Sequence, residues 1–428
     1  MAEPLTATSP EPSGAGSAST AAAGPTALDR LLGTADFIQD PYPVYRRFRH
    51  EDPVHWCAPW GAWVVTRHQD VMEVLRRVED FSSAGYELEL LAEGGPLEPG
   101  RLPALRRHYS TAIVSTTDPP VHTRLRRLLV KQFTPGVVES LRPRVSLLIG
   151  DLLDGLTPGS TVDLLDRLAY PLPAMVIAEL LGVPPADQHR FAAWSADIVA
   201  FVGTGGLERG RAARAETSMA EFQAYLEPLI AQRRRDPGPD LVSLLVAPSA
   251  EALDLDELVG ACVTLLFAGH ETTANLIGNG LLALIERPAT LERLRRAPEL
   301  WGPSVEELLR FDSPVQRNRR RTTRDTELAG RRLRAGDRVL AFVGSANRDE
   351  TIFDRPDELD LARGPSKHLA FGYGIHYCIG AALSRLEAPL ALAAILDRFP
   401  GIRLATGAPP VWKPNITFRG LGQLVVRL

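Results

Sequence analysis

The longest continuous pattern in the chain runs from Asp254 to Arg287, a proline-free stretch with Asp254 and Glu257 at capping-box spacing and Pro288 just beyond it. It predicts one helix about 50 Å long. Its middle, Val263-Thr264-Leu265-Leu266-Phe267-Ala268-Gly269-His270-Glu271-Thr272-Thr273-Ala274, is apolar on most faces but interrupted by charged and hydroxyl groups. A buried helix does not carry such groups for stability alone. Gly269 weakens the helix locally, and the Thr272 hydroxyl is within reach of the Ala268 carbonyl one turn back, a bond that bends helices and opens a groove. Alternating segments are fewer. Pro53–Trp56 and Gly61–Thr66, joined by Cys57–Trp60, predict a small hairpin before a helix over Gln69–Arg77. Further strands are expected in 315–323, 338–343 and 423–426. The pattern as a whole predicts a mainly α fold with a minor β region.

Composition narrows this picture. With 428 residues, 45% hydrophobic and 23% charged, the chain can bury a large core, and a net charge of −4 argues against a nucleic-acid or anionic-membrane surface. Residues 1–26 are rich in Ala, Ser, Pro, Gly and Thr and carry no Lys or Arg; they read as a disordered low-complexity tail, with 27–428 as a single domain. Neither a basic leader with an apolar core nor about 20 consecutive apolar residues is present, so no secretory signal and no membrane anchor are expected. Three cysteines, Cys57, Cys262 and Cys378, form an odd, sparse set without zinc spacing, which points to a reducing cytoplasm.

Cys378 lies in Phe371-Gly372-Tyr373-Gly374-Ile375-His376-Tyr377-Cys378-Ile379-Gly380, followed by helix-forming residues. A thiol at a helix N-terminus has backbone N–H groups that stabilise its anion, and a thiolate suits haem iron, onto which it pushes electron density. Gly374 and Gly380 would let backbone approach a flat porphyrin, and Phe371 would shield the sulfur from water. The bland alternative is a buried cysteine in a glycine-rich turn.

The F-x-x-G-x-x-x-C-x-G string resembles that of the cytochromes P-450, from about Asp36 to the C-terminus, and three other motifs agree. Ala268-Gly269-His270-Glu271-Thr272-Thr273 resembles the family's oxygen-activation motif. The resemblance implies that Thr272 donates a hydrogen bond to dioxygen and that Glu271 connects solvent protons to it through water. His270 points elsewhere on the helix and reads as structural. The resemblance further assigns His122 and Arg126, which share a helix face, together with Arg320 and His376, to the haem propionates. Glu307 and Arg310 match the family's E-x-x-R pair, completed by Arg363.

The cluster Arg317, Arg319, Arg320, Arg321 and Arg324 is not read as a nucleic-acid site. On a strand that alternates faces, Arg320 would point with Asn318 and Gln316, leaving Arg317, Arg319 and Arg321 outward. That places Gln316 in a substrate pocket with Leu265 and Ala268. Other pocket segments are the loop of residues 85–117 and residues 191–210. Haem b (iron protoporphyrin IX) is the implied cofactor and dioxygen the co-substrate. Electrons would come from NAD(P)H through a ferredoxin and a ferredoxin reductase, docking near Arg124, Arg127 and Arg385. The expected reaction is monooxygenation of a small hydrophobic substrate in natural-product or xenobiotic metabolism. A peroxygenase, an oxidative-coupling enzyme or a haem sensor without turnover remain open alternatives.

Overall fold

In a computed structural model of the chain, residues 24–85, 101–204, 210–247, 252–364 and 366–428 are described. The elements that shape the site are α1 (Tyr42–Glu51), α2 (Pro103–Ser110), α3 (Val121–Val130), α4 (Pro171–Leu180), α5 (Gln188–Thr204), α6 (Arg211–Arg235), α7 (Leu255–Ile285), α8 (Trp301–Phe311) and α9 (Ala381–Arg398). The strands are β1 (Val54–Cys57), β2 (Ala62–Val65), β3 (Phe81–Ser82), β4 (Asn318–Thr322), β5 (Arg338–Ala341), β6 (Val411–Trp412) and β7 (Leu421–Gln423).

The expected capping box forms. Asp254 accepts from the Glu257 backbone N–H at 2.8 Å, and Glu257 accepts from that of Asp254 at 3.2 Å, satisfying two donors that helix geometry leaves open. The helix they start, α7, is 31 residues long and runs through the main core, where its Leu266 and Ile277 share one cluster with Ile177, Phe222 and Leu392. Gly269 permits that packing: a Cβ there would stand 2.9 Å from Ile177 Cδ1.

The hairpin also forms, with Val54 opposite Val65 and Cys57 opposite Ala62. It opens a five-stranded sheet in the order β1-β2-β5-β4-β3, where β2 and β5 run parallel and the other pairs antiparallel. Under the hairpin, α1 supplies Tyr45 and Phe48 to a small aromatic cluster with Phe342. The segment read as a loop over residues 85–117 contains a helix, and the second pocket segment is mostly helical. Pro103 at an N-terminal position opens α2, whose first N–H groups are capped by Glu216 of α6, and α5 takes up most of the second segment. Residues 86–100 and 205–209, parts of the expected pocket segments, and residues 1–23 of the expected tail lie outside the described residues. Thr26, placed in that tail, is instead tied down: its hydroxyl accepts from the Asp29 N–H, and its own N–H donates to the Asp29 carboxylate.

Candidate functional site

Cys378 follows a short 3-10 turn, Gly374–His376, and precedes α9. Its N–H donates to the Phe371 carbonyl at 2.9 Å, folding the loop back on itself. Gly374 is demanded by that loop: its φ is +71°, and a Cβ would stand 3.0 Å from the Leu75 carbonyl oxygen. At Gly380 an added Cβ would meet no other residue closer than Cys378 Sγ at 4.0 Å. The thiol is exposed to solvent though crowded by protein. That crowding pushes its pKa up, opposed by the N–H groups of Gly380 and Ala381 and by Arg126 and Arg385. Phe371 lies under the Arg385 guanidinium at 4.6 Å, in edge contact with Tyr377.

The middle of α7 carries a second group of predicted residues. Twenty-three of its residues are buried, yet Leu265, Ala268, Gly269 and Thr272 are not, and their spacing makes them one accessible stripe. The Thr272 hydroxyl donates to the Ala268 carbonyl at 2.6 Å, the bond expected from the sequence. Thr273 faces away, hydrogen-bonded to Ser384 of α9 at 3.0 Å, which ties α7 to the helix that starts just past Cys378. Glu271 is 2% exposed, and its carboxylate accepts from Lys413 at 2.7 Å and from Asn275 at 3.2 Å. His270 is buried edge-on against Tyr170, away from the stripe.

A cationic cluster borders the cysteine loop. His122 and His376 have ring centroids 4.4 Å apart, and Arg126 donates to the Tyr377 carbonyl at 2.6 Å. Burial pulls the His376 pKa down to about 3, helped by Arg320, His122 and Arg126; burial and Arg126 pull down that of His122. Ser83 pairs with His376 Nε2 at 3.1 Å.

Beneath this lies the ion pair predicted from E-x-x-R. Arg310, 0% exposed, donates to Glu307 at 2.7 and 2.9 Å and to the carbonyls of Asn347, Pro356 and Glu358. Arg363 adds two bonds of 3.1 Å to the same carboxylate.

Some expectations fail. Gln316 does not join a pocket with Leu265 and Ala268. Its amide is taken up by the Tyr45 hydroxyl at 2.9 Å and the Ser313 carbonyl at 2.8 Å, within the aromatic cluster under the hairpin. The alternation does not extend to it because β4 begins only at Asn318. Nor do the neighbouring arginines simply face water: Arg317 is buried over the Trp60 ring and bonds Thr417, while Arg319 donates to the Val202 carbonyl of α5. Arg124 and Arg385, expected as docking charges, pair with Glu257 and Glu306 respectively and keep 30% and 39% of their side chains exposed. Sequence reasoning missed Lys413 and Asn275. Asn275 was findable, one turn from Glu271; Lys413 lies 142 positions away and carried no signal.

Comparison with known proteins then decides the family. A sequence model described as Cytochrome P450 matches residues 210–298 and 303–407. Cytochrome P450 107B1 of Saccharopolyspora erythraea is 40% identical, over 93% of this chain and 98% of its own. The monooxygenase PikC of Streptomyces venezuelae is also 40% identical, over 95% of each. Among solved structures, CalO2 superposes with a TM-score of 0.85 at 36% identity, covering 92% of this chain and 98% of its own. The chain belongs to the cytochrome P450 family.

As a P450 it is a haem enzyme that uses dioxygen, a monooxygenase, and the residues fit the cofactor. Both ring nitrogens of His122 are buried without a hydrogen-bond partner, beside the Arg126 guanidinium, which disfavours charge on the ring. Haem propionates would give these buried nitrogens and the neighbouring guanidinium groups carboxylate partners. No helix among the described residues of this P450 is long and apolar enough to cross a membrane. Two surface clefts, of ≈ 480 Å³ around Arg348 and Arg419 and ≈ 710 Å³ around Tyr225, contain none of the predicted site residues.

Proposed function

We propose that this P450 inserts one atom of dioxygen into a small or medium hydrophobic organic molecule, with Cys378 as the iron ligand and the accessible stripe of α7 as the surface over which oxygen and substrate meet. Haem held there supplies the binding and reductive activation of dioxygen, with the thiolate pushing electron density onto iron. His122, Arg126, Arg320 and His376 hold its propionates. The Gly380 and Ala381 N–H groups stabilise the sulfur anion, and a bound metal ion deprotonates a thiol outright.

The single observation that carries this reading is the stripe itself. A helix buried along most of its length leaves Leu265, Ala268, Gly269 and Thr272 accessible at helical spacing, with Phe267 beside them, next to a buried acid. Leu265 and Ala268 offer apolar contact to a substrate. Thr272 holds a hydroxyl proton at the stripe and parks it on the Ala268 carbonyl. Glu271 is the acid from which protons reach the stripe through water, since cleaving an O–O bond heterolytically to release water consumes two protons.

Electrons are proposed to come from NAD(P)H through a separate ferredoxin and ferredoxin reductase, in the cytoplasm, where three free cysteines are at home. Relatives with names such as "Polyketide biosynthesis cytochrome P450 PksS", 35% identical, support a natural-product substrate. The test is turnover. Product should form with dioxygen, ferredoxin and reductase, and only slowly with peroxide alone; efficient turnover by peroxide without reductase would favour the peroxygenase instead, and none under either condition a sensor.

A further inference from the structure

Helix α7 carries three threonines, and they are not satisfied alike. Thr272 donates to the Ala268 carbonyl and Thr273 pairs with Ser384. The Thr264 hydroxyl, in a residue 5% exposed, has no hydrogen-bond partner among the described residues, although a carbonyl one turn back is the usual local acceptor. A buried hydroxyl left alone costs free energy, and a native fold keeps one where something else completes the bond.

Thr264 lies on the line of the stripe, one turn before Ala268 and two before Thr272. One turn before Thr264 is Gly260, where a Cβ would stand 2.9 Å from Ile113 Cγ2 and 3.5 Å from Thr111 Cγ2. The segment that passes over this turn leaves the C-terminus of α2, and Arg107 ties it to Asp256 of α7 at 2.8 Å. His108 sits between these anchors. It is 2% exposed, and neither ring nitrogen has a hydrogen-bond partner among the described residues. Its ring packs edge-on against Tyr109 with centroids 5.0 Å apart, and burial pulls its pKa down to about 4. The imidazole is therefore neutral at ordinary pH, with one donor and one acceptor nitrogen.

We infer that Thr264 and His108 are specificity-determining residues that hold an uncharged hydroxyl group of the substrate at the Leu265 end of the stripe. This rests on the stripe being the oxidation surface, as proposed above. A hydroxyl donates and accepts, as do the threonine hydroxyl and a neutral imidazole, so one such group can complete both. A carboxylate or an ammonium would give up its hydration to two uncharged partners, which cannot offset that cost. Two turns of helix separate Thr264 from Thr272, about 12 Å at the standard rise. The substrate is a hydrophobic alcohol long enough to place a carbon beside Thr272 while its hydroxyl stays at Thr264.

The test uses the haem-loaded enzyme and pairs of ligands that differ only by the hydroxyl: tetradecanol against tetradecane, and a sterol against the hydrocarbon that lacks its hydroxyl. Binding is read from the shift of the haem Soret band. In wild type the alcohols should bind about tenfold more tightly than their partners. Thr264→Val and His108→Phe should each close most of that gap by weakening the alcohol alone. Thr264→Val should keep the wild-type thermal midpoint, because it removes no bond within the protein. Turnover should place the new oxygen about 12 Å from the hydroxyl. Equal binding of alcohol and hydrocarbon in wild type, a gap that survives in both variants, or a lowered midpoint in Thr264→Val overturns the inference and leaves the monooxygenase standing. If neither alcohols nor hydrocarbons shift the band, the hydrophobic substrate surface falls, and the inference with it.

Discussion

Glu307 and Glu271 are both buried carboxylates paired with cations, and their surroundings differ in kind. Glu307 receives two bonds from Arg310, two from Arg363 and one from the Asp360 N–H, all from groups that are themselves fixed by backbone carbonyls or the loop. Glu271 receives one ammonium on a flexible stem and one amide at 3.2 Å. A carboxylate held by planar, forked guanidinium groups cannot turn without stranding a buried charge. One held by a single half-exposed lysine can. The first arrangement braces a carboxylate from several directions; the second leaves one with a single cation and a single amide, and it is the acid proposed above to supply protons beside α7.

Breaking the fixed region should have the largest effect. Arg310→Ala leaves the buried Glu307 with Arg363 as its remaining cation and removes three carbonyl contacts, at a cost of about 3–5 kcal/mol. Haem absorbance per protein should be nearly lost, together with a large drop in thermal midpoint. Normal haem content would remove the distinction between the two regions.

Gln316→Leu probes where the fixed region ends. It leaves the buried Tyr45 hydroxyl without its acceptor, a loss of about 1–3 kcal/mol in denaturant unfolding. Substrate affinity and regioselectivity should not change.

In the region of Glu271 and Thr272 the effects are kinetic. Thr272→Ala should load haem normally, consume dioxygen, and yield about tenfold less product per dioxygen, the rest appearing as reduced oxygen species. Undiminished coupling would take Thr272 out of the mechanism.

How far these regions could be read in advance follows the range of the interactions. The α7 helix, its capping box and the Thr272–Ala268 bond depend on residues within four positions, so the pattern carries them. The cysteine loop was legible because a glycine at φ +71° and a cysteine before a helix leave a fixed spacing. Gln316 was misread because periodicity says where a strand alternates but not where it starts. Lys413 was invisible because the hairpin that delivers it to Glu271 closes across 142 positions. The opening of α2 hid inside an apparent loop, although Pro103 ahead of Ala104 and Leu105 was a usable signal.

The smallest effect expected is on acid stability. Burial raises the Glu306 carboxyl, but the bonds from Arg385 and His368 outweigh it and bring the pKa down to about 2 from an ordinary 4.5. A carboxyl depressed by folding stabilises the protein above its unfolded pKa, and that contribution fades as pH falls from about 4.5 toward 2. Wild type should therefore lose stability through this window, and Glu306→Gln should lose less; equal slopes would show the pair with Arg385 to be thermodynamically idle.

The central claim, that the Cys378 sulfur is the iron ligand on a platform fixed by Glu307 and Arg310, is tested most directly by the absorption spectrum of the reduced protein under carbon monoxide. Wild type should show the strongly red-shifted Soret band that a thiolate ligand produces, and Cys378→His, if it retains haem, should lose that shift. A well-folded, haem-loaded wild type without the red-shifted band, or a Cys378→His variant that keeps it, would contradict the assignment.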